Sequence, residues 1–119
     1  MEKELIKKEV PLIIIFIFII SALTFAADTN LVKMQGVVMQ LDLKTNRMIV
    51  NERHFAWDDH TIINNEKGSL ITIDKIKPGS WVYIEGDTDK VNKRVAIRKI
   101  YLLPKYIDDK ERNRYSFMQ

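Results

Sequence analysis

The feature that most constrains this chain is an unbroken apolar run near its N-terminus. Residues 10–20 carry no polar side chain, and residues 10–27 are interrupted only by Ser21 and Thr24. A helix that packs on one side of a globular core would show a polar face at helical spacing, and this run has none. The run therefore predicts a hydrophobic N-terminal helix that targets or anchors the chain in a membrane.

The flanks of this run match a secretory signal peptide. Three lysines lie ahead of it, and small residues occupy the positions that a signal peptidase reads. We expect residues 1–26 to be a signal peptide that is cleaved between Ala26 and Ala27. The alternative is a retained membrane anchor, because residues 10–27 approach the ~20 residues that a membrane-spanning helix needs.

Both interpretations place the rest of the chain outside the cytoplasm, because the positively charged N-terminus stays inside. We predict a periplasmic or secreted domain, and a membrane-anchored domain outside the cytoplasm as the alternative. The sequence has no cysteine, which excludes disulfides, thiolate zinc sites and cysteine nucleophiles. Its net charge of +3 is too small for a dedicated nucleic-acid binder, which gathers a strong basic excess on one face.

After a short polar spacer, strand-like segments alternate with turns. Five strands are predicted, at about residues 36–43, 47–51, 54–58, 80–86 and 94–103. In the first strand, alternation places four apolar side chains on one face, which are Val37, Met39, Leu41 and Leu43. Gly36 is expected to form a bulge or sharp bend there, and Met48 and Val50 are expected to point inward from the second strand.

Two segments interrupt the strands. The polar residues 64–68 predict a loop. Apolar residues then recur every third position from Leu70 to Ile76, with Thr72 available as a cap and Pro78 and Gly79 as a stop. This pattern predicts one helical turn around residues 73–77 that plugs an end of the barrel.

Together these elements predict a mainly β fold: a small five-stranded OB-like or SH3-like barrel with one short helical turn, preceded by the hydrophobic N-terminal helix. A short sandwich is a further alternative. The predicted division is a signal peptide or anchor (1–26), a barrel domain (31–104) and a charged C-terminal tail (105–119). The tail is interpreted as a frayed or loosely helical terminus, or else as a docking segment that orders on a partner.

A set of short segments carries a resemblance to known proteins. In chain order they are Gly36-Val37-Val38, Met48-Ile49-Val50, Lys77-Pro78-Gly79-Ser80-Trp81-Val82, Ile84-Glu85-Gly86 and Ala96-Ile97-Arg98-Lys99-Ile100. Over about residues 32–103 this order resembles a family of small OB-like β-barrel domains of unknown function from exported bacterial proteins. The resemblance implies a small barrel located in the cell envelope, and it supplies no catalytic residue.

The sequence offers few groups for chemistry. His54, Asp58, Asp59 and His60 lie within seven positions, and imidazole and carboxylate groups bind metal ions. Further spaced ligands are missing, so we interpret this group as a solvated turn. No serine sits in a nucleophile elbow. We therefore predict no metal site, no cofactor and no enzymatic activity.

The remaining class is a binding module. We predict an exported accessory protein of the bacterial envelope that binds a protein partner through a sheet edge or through its tail. The alternatives are an OB-like binder of oligosaccharide or, less favoured, nucleic acid, and a membrane-anchored subunit of an envelope complex. Either Trp81 or Tyr83 is expected in the core. The candidate contact residues are Trp57, Arg94, Arg98, Tyr115 and Phe117.

Overall fold

A computed structural model describes residues 29–119, so the predicted N-terminal helix and the Ala26–Ala27 cleavage site lie outside the described residues. The described part contains six strands, β1 (Thr29–Asp42), β2 (Arg47–Val50), β3 (Arg53–Ala56), β4 (Ile62–Asn65), β5 (Trp81–Asp89) and β6 (Val95–Leu103). Short 3₁₀ turns cover Ile73–Lys75, Arg112–Arg114 and Ser116–Met118. The predicted mainly β fold is confirmed. Between residues 29 and 119, no helix is long and apolar enough to cross a membrane.

The strands close into a barrel. Their hydrogen-bonded order is β3-β2-β1-β5-β6-β4, and β3 also pairs with β6. Both β3 and β4 run parallel to β6, whereas the other pairings are antiparallel. The two short strands are therefore two pieces of one barrel strand, so that six strands build five barrel positions. A simple meander would have no parallel pairing, so the strands form a barrel-like ring that is not a simple meander.

One hydrophobic cluster fills the barrel. Met48 and Val50 are buried in it, as predicted, together with Phe55, Ile84 and Ile100. The predicted helical turn is present over Ile73–Lys75. It is followed by Ile76, which is buried in the same cluster and so closes one end of the barrel.

The predicted inward face of the first strand is correct for Leu41, which packs against the barrel core, but wrong for the rest of the face. Val38 is 1% exposed and points inward, whereas Met39 is 54% exposed and Leu43 is also exposed. Apolar residues occupy both phases of the alternation here, so the pattern alone could not choose between the two faces. The irregularity expected at Gly36 lies between Val38 and Gln40 instead.

Gly36 itself keeps regular pairing with Val82. A Cβ atom at this position would come within 2.8 Å of the side chains of Val50 and Asn51. The glycine is therefore needed for the close approach of β1 to the end of β2.

The loop predicted at residues 64–68 is shorter than expected. Asn64 and Asn65 belong to β4 and pair with Tyr101 and Leu102 of β6. The turn that follows is held by the Asn65 side chain, whose Oδ1 accepts hydrogen bonds from the backbone N–H groups of Lys67 and Ser69. Polar residues form a strand here because β6 supplies the backbone partners, which a local pattern cannot reveal.

Candidate functional site

The outer face of β1, β5 and β6 divides into two halves. Side chains at alternating positions point away from the barrel core. Those at one end are mostly aromatic or apolar, and those at the other end are mostly charged. We call the first set the covered half, comprising Gln35, Trp81, Tyr83, Tyr101 and Leu103. We call the second set the open half, comprising Leu31, Lys33, Glu85, Asp87, Arg98 and Lys99.

The C-terminal tail lies on the covered half. Ile107 is fully buried there, and Met118 is nearly so. The side chain of Gln35 fixes Ile107 through both of its backbone groups: Nε2 donates to the Ile107 carbonyl oxygen at 2.9 Å, and Oε1 accepts from the Ile107 N–H. These are the hydrogen bonds that a neighbouring strand would otherwise supply.

Aromatic contacts complete this attachment. Phe117 stacks on Tyr101 with ring centroids 3.9 Å apart, and it also contacts Tyr83 and Tyr115. Tyr106 makes an edge-on contact with Trp81. The tail is therefore not frayed, and the apolar side chains of this possible docking segment pack against the chain's own barrel. Tyr83 is buried as expected for one of the two core candidates, but it lies in this second cluster and not inside the barrel.

A groove runs between the tail and the turn after β4. Its volume is about 590 Å³, and its lining includes Asn64, Glu66, Lys67, Tyr101, Arg114, Tyr115 and Phe117. Asn64 is the buried polar residue of the described chain, at 7% exposure. Its side-chain amide makes no hydrogen bond within residues 29–119, yet neither of its polar atoms is sealed from solvent. The amide is therefore directed into the groove.

The other candidate contact residues lie elsewhere. Trp57 is half-buried against the barrel core. Arg94 stands in the connection between β5 and β6. Arg98 is the extra residue of a bulge in β6 and pairs with Asp87 at 3.2 Å. Tyr115 and Phe117 share the groove beside the tail, whereas Arg94 and Arg98 line two other depressions, so the structure does not unite the five residues in one site.

The histidine and aspartate residues near β3 do not converge. His54 lies on β3 beside Arg47 and Ile49, while Asp58 and His60 belong to the turn before β4. In that turn the Asp58 carboxylate accepts a hydrogen bond from the backbone N–H of His60. Across residues 29–119, no group of three or more His, Cys, Asp or Glu side chains is arranged to hold a metal ion.

The perturbed titratable groups have structural causes. Burial under the tail, and secondarily the negative charge of Glu85, raise the pKa of Tyr83. A hydrogen bond from the Thr45 hydroxyl lowers the pKa of Asp42. A hydrogen bond from the Thr72 hydroxyl lowers the pKa of Asp74 in the same way. The three groups lie in different elements: Asp42 at the end of β1, Asp74 in the first 3₁₀ turn and Tyr83 in β5.

The first half of β1 has an unpaired edge. β2 pairs with β1 only from Val38 to Asp42, whereas β5 pairs with it from Thr29 to Val37. The Val38 N–H donates to the Ser80 carbonyl oxygen on the β5 side. By alternation, the backbone N–H and C=O groups of Leu31, Lys33 and Gln35 point to the opposite side. No strand of the described chain lies there.

Comparisons with known proteins give distant structural likenesses. No protein-family description matches the sequence, and no curated protein matches it. A fimbrial biogenesis protein, PilY2 from Pseudomonas aeruginosa, is 22% identical, with 61% of this chain and 87% of that chain covered and a TM-score of 0.48. Apo-CusF from Escherichia coli is 15% identical over 64% of this chain and 90% of that chain, with a TM-score of 0.46.

The silver-bound form of CusF gives 16% identity over 65% of this chain and 96% of that chain, again with a TM-score of 0.46. These proteins are small β domains, as is this one. Membership of the exported family of unknown function that the sequence resembles stays a prediction.

Proposed function

We propose that this protein is an exported accessory module of the bacterial envelope that binds a protein partner without catalysing a reaction, and that the partner adds an extended segment to the free edge of β1. The observation that carries the proposal is the unpaired edge at Leu31, Lys33 and Gln35. Extended segments bind to such an edge through backbone hydrogen bonds, and alternate side chains provide specificity.

The chemistry of this edge favours a bound strand. Proteins usually protect an exposed edge with proline, with short strands or with a lysine directed over it. The first half of β1 has no proline and is nine residues long where it pairs with β5. Its single lysine is directed toward β5, because the Lys33 amino group lies 4.0 Å from the Glu85 carboxylate. Leu31 is 56% exposed beside the same edge.

The packing of the tail favours the β1 edge over the tail itself as the surface that binds the partner. The tail's apolar residues, Ile107, Phe117 and Met118, already pack against the barrel. A partner that used them would have to displace the tail and expose Tyr83, Tyr101 and Leu103, at a cost in buried apolar area. The signal-peptide-like pattern at the N-terminus supports a partner that is located in the envelope.

Site-specific crosslinking in intact cells tests the proposal. A photoreactive residue at position 31 lies beside the edge, and one at position 91, in the exposed connection between β5 and β6, serves as the matched control. We expect position 31 to give a discrete crosslinked protein product that position 91 does not give. No product at position 31, or the same products at both positions, would contradict the proposal.

A second variant pair separates backbone pairing from charge. Lys33→Pro removes an N–H that points to the free edge and not toward β5, whereas Lys33→Ala keeps that N–H and removes only the charge. We expect Lys33→Pro to abolish the crosslink and Lys33→Ala to keep it. Urea denaturation of both variants checks that β1 remains folded. Equal loss of the crosslink in both folded variants would show that the charge, and not strand addition, carries the interaction.

A further inference from the structure

We propose a second site: the groove between the tail and the turn after β4 binds an acidic saccharide, meaning a sugar ring that carries a carboxylate. The site is distinct from the β1 edge and binds a different class of ligand. Its volume of about 590 Å³ is within the range of small-ligand pockets, which is roughly 300–1,000 Å³.

The first argument is the amide of Asn64. This side chain is more than nine-tenths buried and points outward from β4 next to Tyr101, its neighbour in register. A buried amide normally has its hydrogen bonds satisfied by protein groups. The Asn64 amide has no partner within the described residues, and its polar atoms reach solvent, so its hydrogen bonds are left to water or to a ligand. A primary amide offers donors and an acceptor at one point. Adjacent hydroxyls of a sugar ring supply both complementary groups.

The second argument is the charge around the groove. Lys67 and Arg114 stand on its opposite sides, with Glu66 beside Lys67. None of the four ion pairs found among residues 29–119 involves these three residues. The two cations are therefore free to pair with a ligand carboxylate, and Arg114 can do so through two hydrogen bonds. Glu66 can accept hydrogen bonds from hydroxyl groups.

The third argument is the aromatic lining. Tyr115 and Phe117 are half-buried, and each retains some exposed ring surface in the groove. Ring faces carry partial negative charge and attract the polarised C–H groups of a sugar. Both walls are also fixed in advance, one by the Asn65 side chain and the other by the stack of Phe117 on Tyr101. A fixed site loses less conformational entropy when a ligand binds.

Titration of the full-length protein with defined sugars tests this site, followed by NMR chemical shifts and calorimetry. Digalacturonic acid carries its carboxylates on the rings, and N-acetylmuramic acid carries one on a side group. Digalactose is the neutral control. We expect either acidic sugar to bind at least about ten-fold more tightly than digalactose, with shifts confined to residues that line the groove. Comparison of the two acidic sugars identifies where the carboxylate must lie.

Three variants locate the binding. Asn64→Leu removes the buried amide, and we expect the Kd of the acidic sugar to rise about ten-fold. Arg114→Gln changes an exposed side chain that the fold does not use, so it tests the site even if Asn64→Leu fails to fold. We expect it to raise the Kd by a similar factor. Arg98→Gln removes a cation of the open half and should leave the Kd within about two-fold.

Several outcomes would overturn the proposal. They are no binding of either acidic sugar, equal affinity for digalactose, or equal losses in Arg114→Gln and Arg98→Gln, which would indicate unspecific charge attraction. Tighter binding of a short acidic peptide than of the sugars, with the same groove residues shifted, would assign the groove to a protein ligand. The crosslinking experiment at β1 does not depend on any of these results.

Discussion

The covered and open halves of the outer sheet face share the same three strands but differ in what surrounds them. In the covered half, Trp81, Tyr83 and Tyr101 lie beneath the tail and form a second apolar cluster. In the open half, Glu85 and Asp87 occupy the equivalent outward positions of β5 and pair with Lys33 and Arg98 in solvent. The strand geometry is common to both, so the side chains alone decide which half becomes part of the core. One strand therefore contributes to the stability of the fold at one end and to its accessible surface at the other.

The largest difference between the halves is expected in stability. Ile107→Ala removes a fully buried side chain from the covered half and should lower the free energy of unfolding by about 2–5 kcal/mol. Leu31→Ala, in the open half, should lower it by less than about 0.5 kcal/mol. Urea denaturation of the full-length protein, followed by tryptophan fluorescence, measures both. Similar small effects would show that the tail is not part of the cooperative fold.

A smaller effect is expected from the polar attachment of the tail. Gln35→Leu leaves the buried N–H and C=O groups of Ile107 without partners and should cost about 1–3 kcal/mol. Gln40→Leu is the matched control, because Gln40 lies exposed on the same strand. Hydrogen exchange should accelerate at the Ile107 amide in the first variant and stay unchanged in the second. Unchanged exchange in Gln35→Leu would mean that apolar packing alone holds the tail.

The smallest effect is expected in how the stability of the fold depends on pH. Because burial and Glu85 raise the pKa of Tyr83, the unfolded chain loses this proton at a lower pH than the folded protein does. The contribution to stability is therefore complete below pH 10.0, the ordinary value, and declines as the pH rises above it. Denaturation of the native protein and of Tyr83→Phe at several alkaline pH values measures this. The decline should be shallower in Tyr83→Phe, and equal slopes would show that the tail does not shield this hydroxyl.

The barrel could be predicted because strand alternation and turn residues are visible in short stretches of sequence. Met48 and Val50 share one face of the strand, whereas Arg47 and Asn51 lie on the other face, so the inward direction of Met48 and Val50 is predictable. Met39 and Leu43 were misplaced, because Val37 and Val38 are both apolar and a bulge beyond them changes the phase. Asn64 and Asn65 resemble a loop, and only pairing with β6 makes them a strand.

The candidate site was less predictable because the contacts that form it join residues far apart in the sequence. Tyr115 and Phe117 are candidate contact residues from the sequence, but Phe117 contacts Tyr83 and Tyr101, which precede it by more than ten residues in the chain. Nothing around Asn64 in the sequence indicates that this side chain is buried beside the groove. Both facts depend on how the tail crosses the sheet, and alternation patterns carry no information about such long-range contacts.

The attachment of the tail by Gln35 also sets the order of events during synthesis. Gln35 and Ile107 are 72 residues apart, and contacts of such separation form late in folding. A growing chain that ends at Leu103 contains all six strands but not the residues that cover Trp81 and Tyr83. The covered half thus stays exposed until residues 105–118 have been made, and a chain truncated before them would keep an apolar surface on which chaperones and proteases act.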